Sequence, residues 1–237
     1  MGLGRTVKRL CALAVLLACG AQAALPEFRS FPAEGARLLL WVSAERGRAE
    51  PELRAAEKLA AQGVAVWSLD PSGAYFLPQL PSSMDAVPVE DIVDWLRAAL
   101  AGGKTVTVYA VARAAVPVLH ATARLTPAER ARLCMLLMYP NLYAAAAEAR
   151  DEIEYLDVGR LDGLRARVLQ PRRSAATPWL PLQLEYLAGQ GARMSHVILE
   201  DLREGFWARE TPMDHEIAES QRLDALLLRE MESEACR

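Results

Sequence analysis

The sequence predicts an α/β protein, with one mostly parallel central sheet carrying helices on both faces. Two observations lead there. From Arg37 onward, short β-rich runs alternate with longer stretches of helical periodicity, a pattern that builds a layered fold around a parallel sheet. Several of the short runs, such as Leu38 to Val42, are also continuously apolar, which marks strands covered on both sides.

The chain opens on a segment that stands apart from this pattern. Arg5, Lys8 and Arg9 make a positive start, and Leu10 to Ala18 follow as an apolar run. The run is shorter than the roughly 20 residues a membrane-spanning helix needs, so it reads as a secretory leader. Two cleavage rules fit the same stretch. Ala21, Gln22 and Ala23 form an A-x-A site before Ala24, while Leu16, Leu17, Ala18 and Cys19 resemble a bacterial lipobox, with Leu17 bulkier than that motif prefers. The expected organisation is a leader over 1–23, or cleavage between 18 and 19 in a lipoprotein, then a single domain over 24–237.

Leu38 to Val42 is the first buried strand. Pro51 opens a helix running to Gln62, with Leu53, Ala56, Leu59 and Ala60 at helical spacing and Gly63 as its stop. Val64 to Leu69 is the next strand. Pro71, Ser72 and Gly73 make a turn, and Pro78 to Pro88 is a proline- and serine-rich loop. Val89 to Leu100 returns to the helical period and ends at Gly102 and Gly103; Thr105 to Val111 is a strand. Ala114 to His120 is helical but interrupted by Pro117, and Thr126, Pro127 and Glu129 make a capped start. Leu133 to Met138, Ala166 to Gln170 and Val197 to Leu199 are strands, with a helix around Leu182 to Leu187. Asp214 to Glu234 reads as one terminal helix with Ile217, Leu223, Leu226 and Leu227 on its buried face.

Composition narrows the function. Without Arg5, Lys8 and Arg9, 24 of the 27 basic residues remain against 30 acidic ones. Phosphate backbones need a basic face, so nucleic acid is excluded as a partner, leaving a small molecule or an envelope protein, with a membrane tether through Cys19 if the lipobox is used. About 215 mature residues suffice for one full core. Of the four cysteines, Cys134 and Cys236 certainly outlast the leader. Cys134 is most simply a buried small hydrophobe. An oxidising compartment permits a disulfide between them without the sequence demanding one.

Ligands in parallel sheets gather at the carboxyl ends of the strands, which directs attention to the loops after Val42, Leu69, Val111, Met138, Gln170 and Leu199. There the order of elements resembles an α/β-hydrolase. That superfamily carries its nucleophile on a sharp G-x-S-x-G turn after a strand. The matching stretch is Ala110-Val111-Ala112-Arg113-Ala114: the outer positions are small, and Ala112 stands in the serine's place. The triad acid is expected after Ala166 to Gln170, where Pro171 to Trp179 contains no carboxylate; the histidine is expected near Gly205 and Phe206, where Glu204 precedes them. Leu69-Asp70-Pro71-Ser72, Tyr75-Phe76, Val116 to Leu119 and Leu136 to Tyr143 are similar to the periplasmic VirJ/AcvB-type virulence-associated hydrolases. The resemblance implies a periplasmic protein whose active relatives hydrolyse esters, phospholipids among them.

The candidate cleft residues each carry a structural alternative. Ser43, Glu45 and Arg46 occupy the loop where active hydrolases place oxyanion donors, or form a solvated loop. Asp70, Ser72 and Tyr75 follow a buried strand, where an aspartate before proline also serves the turn. Arg113 either holds an anionic group bidentately or pairs with Glu45 or Glu204. Arg173, in the loop that lacks an acid, and Trp179, beside Pro178, are further candidates, and an aromatic next to proline often only packs. His120, His196 and His215 match no metal-ligand spacing, so no metal is expected, and Gly102-Gly103-Lys104 is not a phosphate loop, so no cofactor is. Together these features read as an exported envelope protein with an α/β-hydrolase fold and no Ser-His-Asp triad, acting as a binding or accessory protein. The alternatives are an esterase or phospholipid hydrolase with a relocated nucleophile, and a lipid-anchored interaction module.

Overall fold

The computed structural model describes residues 25–144 and 153–236. The leader, with Cys19 and Ala23, lies outside the described residues. Seven strands form one sheet in the order β1-β3-β2-β4-β5-β6-β7. They are β1 (Phe28–Phe31), β2 (Arg37–Val42), β3 (Val64–Leu69), β4 (Thr105–Val111), β5 (Leu133–Met138), β6 (Arg165–Pro171) and β7 (Arg193–Leu199). Every neighbouring pair from β3 to β7 is parallel, and only β1 runs antiparallel, on the outer side of β3. β1 gave no sequence signal because it is four residues long, too short for a period of two to be read. β7 begins four residues before the apolar run because Arg193 to His196 sit on an edge, where polar residues are tolerated.

Helices α3 (Val89–Ala101), α4 (Ala115–Ala123) and α6 (Leu180–Gly189) bury their apolar stripes on one face, with Trp95, Leu96, Val118 and Leu187 in the core. The other face holds α1 (Glu50–Ala61) and α8 (Leu223–Met231), packed on Leu39, Trp41, Tyr109 and Leu136. Two one-turn helices, α2 (Pro71–Ala74) and α5 (Pro127–Arg130), and α7 (Asp214–Gln221) complete the set. Pro117 does not interrupt α4: it sits in the first turn, where its missing N–H breaks no helical hydrogen bond. The terminal helix predicted over Asp214 to Glu234 is two helices broken at Arg222, and Ile217 is exposed while Leu223, Leu226 and Leu227 are buried. Part of the proline-rich loop coils into a 3-10 turn over Pro81–Ala86 that drives Met84 fully into the core.

Cys134 of β5 and Cys236 are joined by a disulfide, across 102 residues of sequence and a Cα separation of 5.2 Å. The cysteine expected as a simple core hydrophobe therefore also ties the carboxyl end of the chain to the sheet. Among the described residues, no helix is long and apolar enough to cross a membrane.

Candidate functional site

The parallel register aligns the strand ends: Val42 lies beside Leu69 and Ala110, Val111 beside Met138, Met138 beside Leu169, and Pro171 beside Leu199. The loops that leave them therefore meet at one edge of the sheet. Between them opens a cleft of about 1010 Å³ bounded by Glu45 and Arg46 after β2, Ala112 after β4, Tyr139 and Tyr143 after β5, Ala175, Ala176 and Trp179 after β6, and Glu204, Gly205 and Trp207 to Thr211 after β7.

Ala112 is at the turn from β4 into α4, and its φ of 50° puts it in the left-handed region. An L-residue with a Cβ pays of order 1–2 kcal/mol there. The turn is tolerated because its surroundings are small and tightly packed, with Ala110, Ala114 and Ala115 all fully buried. A strand-to-helix turn with a left-handed residue at its apex is the backbone shape that the sequence reading expects of a nucleophile elbow. What it presents to the cleft is a methyl group, which has no lone pair with which to attack a carbonyl.

The loops after β6 and β7, where the sequence reading expects an acid and a histidine, hold a different pair of side chains. The Ser174 hydroxyl, in the loop after β6, donates to Oε1 of Glu204, in the loop after β7, and accepts from the Ala176 N–H at 3.0 Å. The two loops that would carry an acid and a histidine are thus joined by a serine–glutamate hydrogen bond. His120 Nε2 lies 3.0 Å from the Asp157 carbonyl, His215 Nε2 lies 2.9 Å from the Asp201 carbonyl, and His196 is exposed on β7. None of the three borders the cleft. Among the described residues, no serine hydroxyl is hydrogen-bonded to a histidine ring, and no group of His, Cys, Asp and Glu side chains is placed to hold a metal ion.

Beneath the cleft is a buried carboxylate. Glu52, in the first turn of α1, accepts from the Ser43 hydroxyl at 2.8 Å, the Trp207 indole N–H at 3.0 Å and the Ala49 N–H at 3.3 Å. It therefore ties together the loop after β2, α1 and the turn over Phe206–Ala208. Burial pushes its carboxyl up to about 7, and the three donors and Arg48 oppose that rise without cancelling it. The Tyr139 phenol is driven well above its usual range, first by burial and then by the charges of Glu52, Glu204 and Glu45. Its ring lies 6.0 Å from that of Trp207. Tyr143 stacks on Tyr155 at 5.6 Å, which stacks on Tyr186 at 4.8 Å, so this wall of the cleft is braced from behind.

Of the residues singled out from sequence, Glu45, Arg46, Ala112, Trp179 and Glu204 border the cleft. The others are placed elsewhere. Ser43 is fully buried, with its hydroxyl given to Glu52 and its N–H to the Leu69 carbonyl at 3.1 Å, so it supplies no free donor to the cleft. Asp70 caps α2 by accepting from Gly73 N–H at 3.0 Å; Ser72 donates to the Glu45 carbonyl at 2.7 Å; Tyr75 donates to Asp91 at 3.1 Å. These three hold loops together. Arg113 is buried and paired, but with neither Glu45 nor Glu204. Its guanidinium grips Asp85 bidentately at 3.0 and 2.8 Å and donates to the Tyr143 carbonyl at 2.6 Å. The 3-10 turn that brings Asp85 over the elbow had no sequence signal, which is why this partner was missed. Arg173 turns outward to Asp201 at 3.3 Å, beside a second, shallower hollow of about 630 Å³ along β7.

Trp207, which like Trp179 reads from sequence as either a pocket wall or packing, borders the cleft, and Glu52, Tyr139, Tyr143 and Glu210 border it without having been singled out. Tyr139 had a usable signal, being the first residue past a buried strand. Glu52 had none, since it reads as an ordinary first-turn acid of a helix.

No family model matches the sequence, and no curated protein matches it. Solved structures do. A putative dienelactone hydrolase from Klebsiella pneumoniae subsp. pneumoniae is 14% identical with a TM-score of 0.57, covering 84% of this chain and 89% of that one. A Pyrobaculum calidifontis esterase is 12% identical with a TM-score of 0.57, covering 87% and 86%. A thermostable carboxylesterase cloned from a metagenomic library is 15% identical with a TM-score of 0.57, covering 86% and 84%. The likeness is one of fold, and the fold is that of the α/β-hydrolases.

Proposed function

We propose that this α/β-hydrolase-fold chain is a degenerate member of its superfamily that binds a small molecule in the strand-end cleft and does not hydrolyse acyl esters. One observation carries the reading: Ala112 keeps the left-handed elbow backbone but has no nucleophile. Ser174 and Glu204 lie in the loops where an acid and a histidine are expected, and the hydrogen bond between them supports the reading that neither loop supplies a triad member. Because fold does not dictate function, the hydrolase neighbours set the architecture and the site sets the chemistry.

The chain acts in the bacterial envelope, in the periplasm, either free after cleavage at Ala23 or tethered through Cys19. The leader sequence supports this placement, as does the Cys134–Cys236 disulfide, a bond that persists in oxidising compartments. The similarity to the VirJ/AcvB type fits the same location. The test is turnover: purified mature protein is given p-nitrophenyl acetate and butyrate, and the rate is expected to match the uncatalysed background. Saturable hydrolysis that a serine-directed fluorophosphonate abolishes would refute the proposal in favour of a relocated nucleophile.

A further inference from the structure

We infer that the strand-end edge of the sheet is a membrane-docking surface, seated on the bilayer that holds the chain through Cys19. The inference rests on the tethered form of the reading above and adds which face meets the lipid. Exposed apolar side chains gather at this edge: Phe76 and Leu80 on the loop after β3, Trp179 and Leu182 at the entry to α6 after β6, and Met213 on the loop after β7. Among the described residues, no loop at the opposite edge carries an exposed large apolar side chain. Exposed apolar residues scattered singly are ordinary, whereas their confinement to one end of a molecule marks a contact surface. Phe76 is the extreme case, being 94% exposed with a φ of 53°. The left-handed region disfavours a bulky residue, and glycine would enter it without that strain. Strain and exposure thus fall on the same side chain, and an apolar partner outside the fold relieves the exposure.

The point at which the chain enters the fold identifies that partner as lipid. β1 runs antiparallel to β3 with Phe28 beside Leu69, the last residue of β3. The chain therefore comes in at the strand-end edge, and Leu25, just before β1, is exposed. Six residue steps separate Cys19 from Leu25, a reach of at most about 20 Å when fully extended. A domain of this size is roughly 40 Å across, so the tether is too short to let the opposite edge rest on the membrane. A lipid on Cys19 brings the apolar edge to the bilayer surface. Trp179 suits that position, because indoles gather at the headgroup level. Pro81, next to Leu80, and Trp179 both border the cleft, and the loops that carry them leave β3 and β6 with β2, β4 and β5 between. The apolar residues therefore stand on both sides of the cleft mouth, which faces lipid when the edge is docked.

The experiment expresses the full chain with its leader, records the intact mass of the purified product, and reconstitutes it in vesicles of phosphatidylethanolamine and phosphatidylglycerol. Three variants, Phe76→Cys, Leu80→Cys and Glu34→Cys, each carry a nitrobenzoxadiazole fluorophore on the introduced thiol, since Cys134 and Cys236 are already joined. Glu34 is exposed between β1 and β2, at the opposite edge. With lipids brominated near the headgroup, the labels at 76 and 80 are expected to lose about half their emission, because a side chain docked at the headgroup–acyl boundary lies within reach of the bromine. The label at 34 is expected to lose none. An acyl group on Cys19 with equal quenching at all three positions, or stronger quenching at 34, would overturn the inference and leave the tether standing. Shielding of the labels at 76 and 80 in leaderless protein without vesicles would also overturn it, in favour of a second copy on this edge. A mass without an acyl group would remove the tether and the inference together.

Discussion

Replacing Glu52 by glutamine is expected to change the sign of its effect on stability between acid and alkaline pH. The carboxyl titrates near 4.5 when unfolded and is pushed to about 7 by burial when folded. As pH rises between those values the unfolded chain loses this proton and the folded chain keeps it, so wild-type stability falls. The stabilisation is fully present below the unfolded value and lost as pH passes the folded one. At 1.36 kcal/mol per pKa unit, the shift corresponds to roughly 3 kcal/mol across that window. Glutamine has no such dependence. Its carbonyl can still accept from Trp207, and its amide can donate to Ser43, leaving only the Ala49 N–H short of an acceptor, a cost of about 1 kcal/mol. Glu52→Gln should therefore be about 1 kcal/mol less stable than wild type at pH 4 and roughly 2 kcal/mol more stable at pH 8. Urea denaturation of both proteins with the disulfide intact, at half-unit steps from pH 4 to 8, measures the difference directly, since all other titrating groups are shared. A difference that stays constant across the range would refute the assignment of Glu52 as a carboxyl raised by burial.

Other consequences follow from the same geometry. Ala112→Gly should stabilise the protein by about 0.5 kcal/mol, because glycine escapes the left-handed penalty but costs more to order; thermal melts measure it, and a loss above 1 kcal/mol would contradict the strained turn. Ala112→Ser should leave ester hydrolysis at background, since no histidine borders the cleft to take the serine's proton; a rise of tenfold or more in the steady-state rate would contradict this. Arg113→Met should cost about 3 kcal/mol, because it strips Asp85 and the Tyr143 carbonyl of their shared donor at the elbow, as read by the urea midpoint. Reducing Cys134–Cys236, which spans 102 residues, should cost about 4.7 kcal/mol on the chain-entropy estimate, seen as a lower midpoint in dithiothreitol.

The sheet was legible because its strands are buried on both sides: an apolar run such as Leu133 to Met138, with every residue buried, has almost no other reading. Where burial weakens, so does the signal. β1 and the first half of β7 sit at sheet edges and alternate too little to be recognised, and the break at Arg222 falls inside one continuous helical pattern. The elbow could be located because its residue sizes are set by a local turn. The network around it could not, because its partners are far apart in the chain: Glu52 meets Trp207 across 155 residues and Arg113 meets Asp85 across 28. Side chains such as Asp70 and Tyr75 lay at the right strand end, but a local cap and a hydrogen bond to Asp91 claimed them, and strand-end position alone does not distinguish a ligand-facing group from one that holds a loop.

Whether any nucleophile faces the strand-end cleft is the central question, and covalent labelling answers it most directly. Mature protein is incubated with an excess of a serine-directed fluorophosphonate and its intact mass recorded. The account predicts an unmodified mass, because Ala112 stands at the elbow and Ser43, Ser72 and Ser174 are engaged with Glu52, the Glu45 carbonyl and Glu204. A stoichiometric phosphonyl adduct mapped to a serine would contradict it.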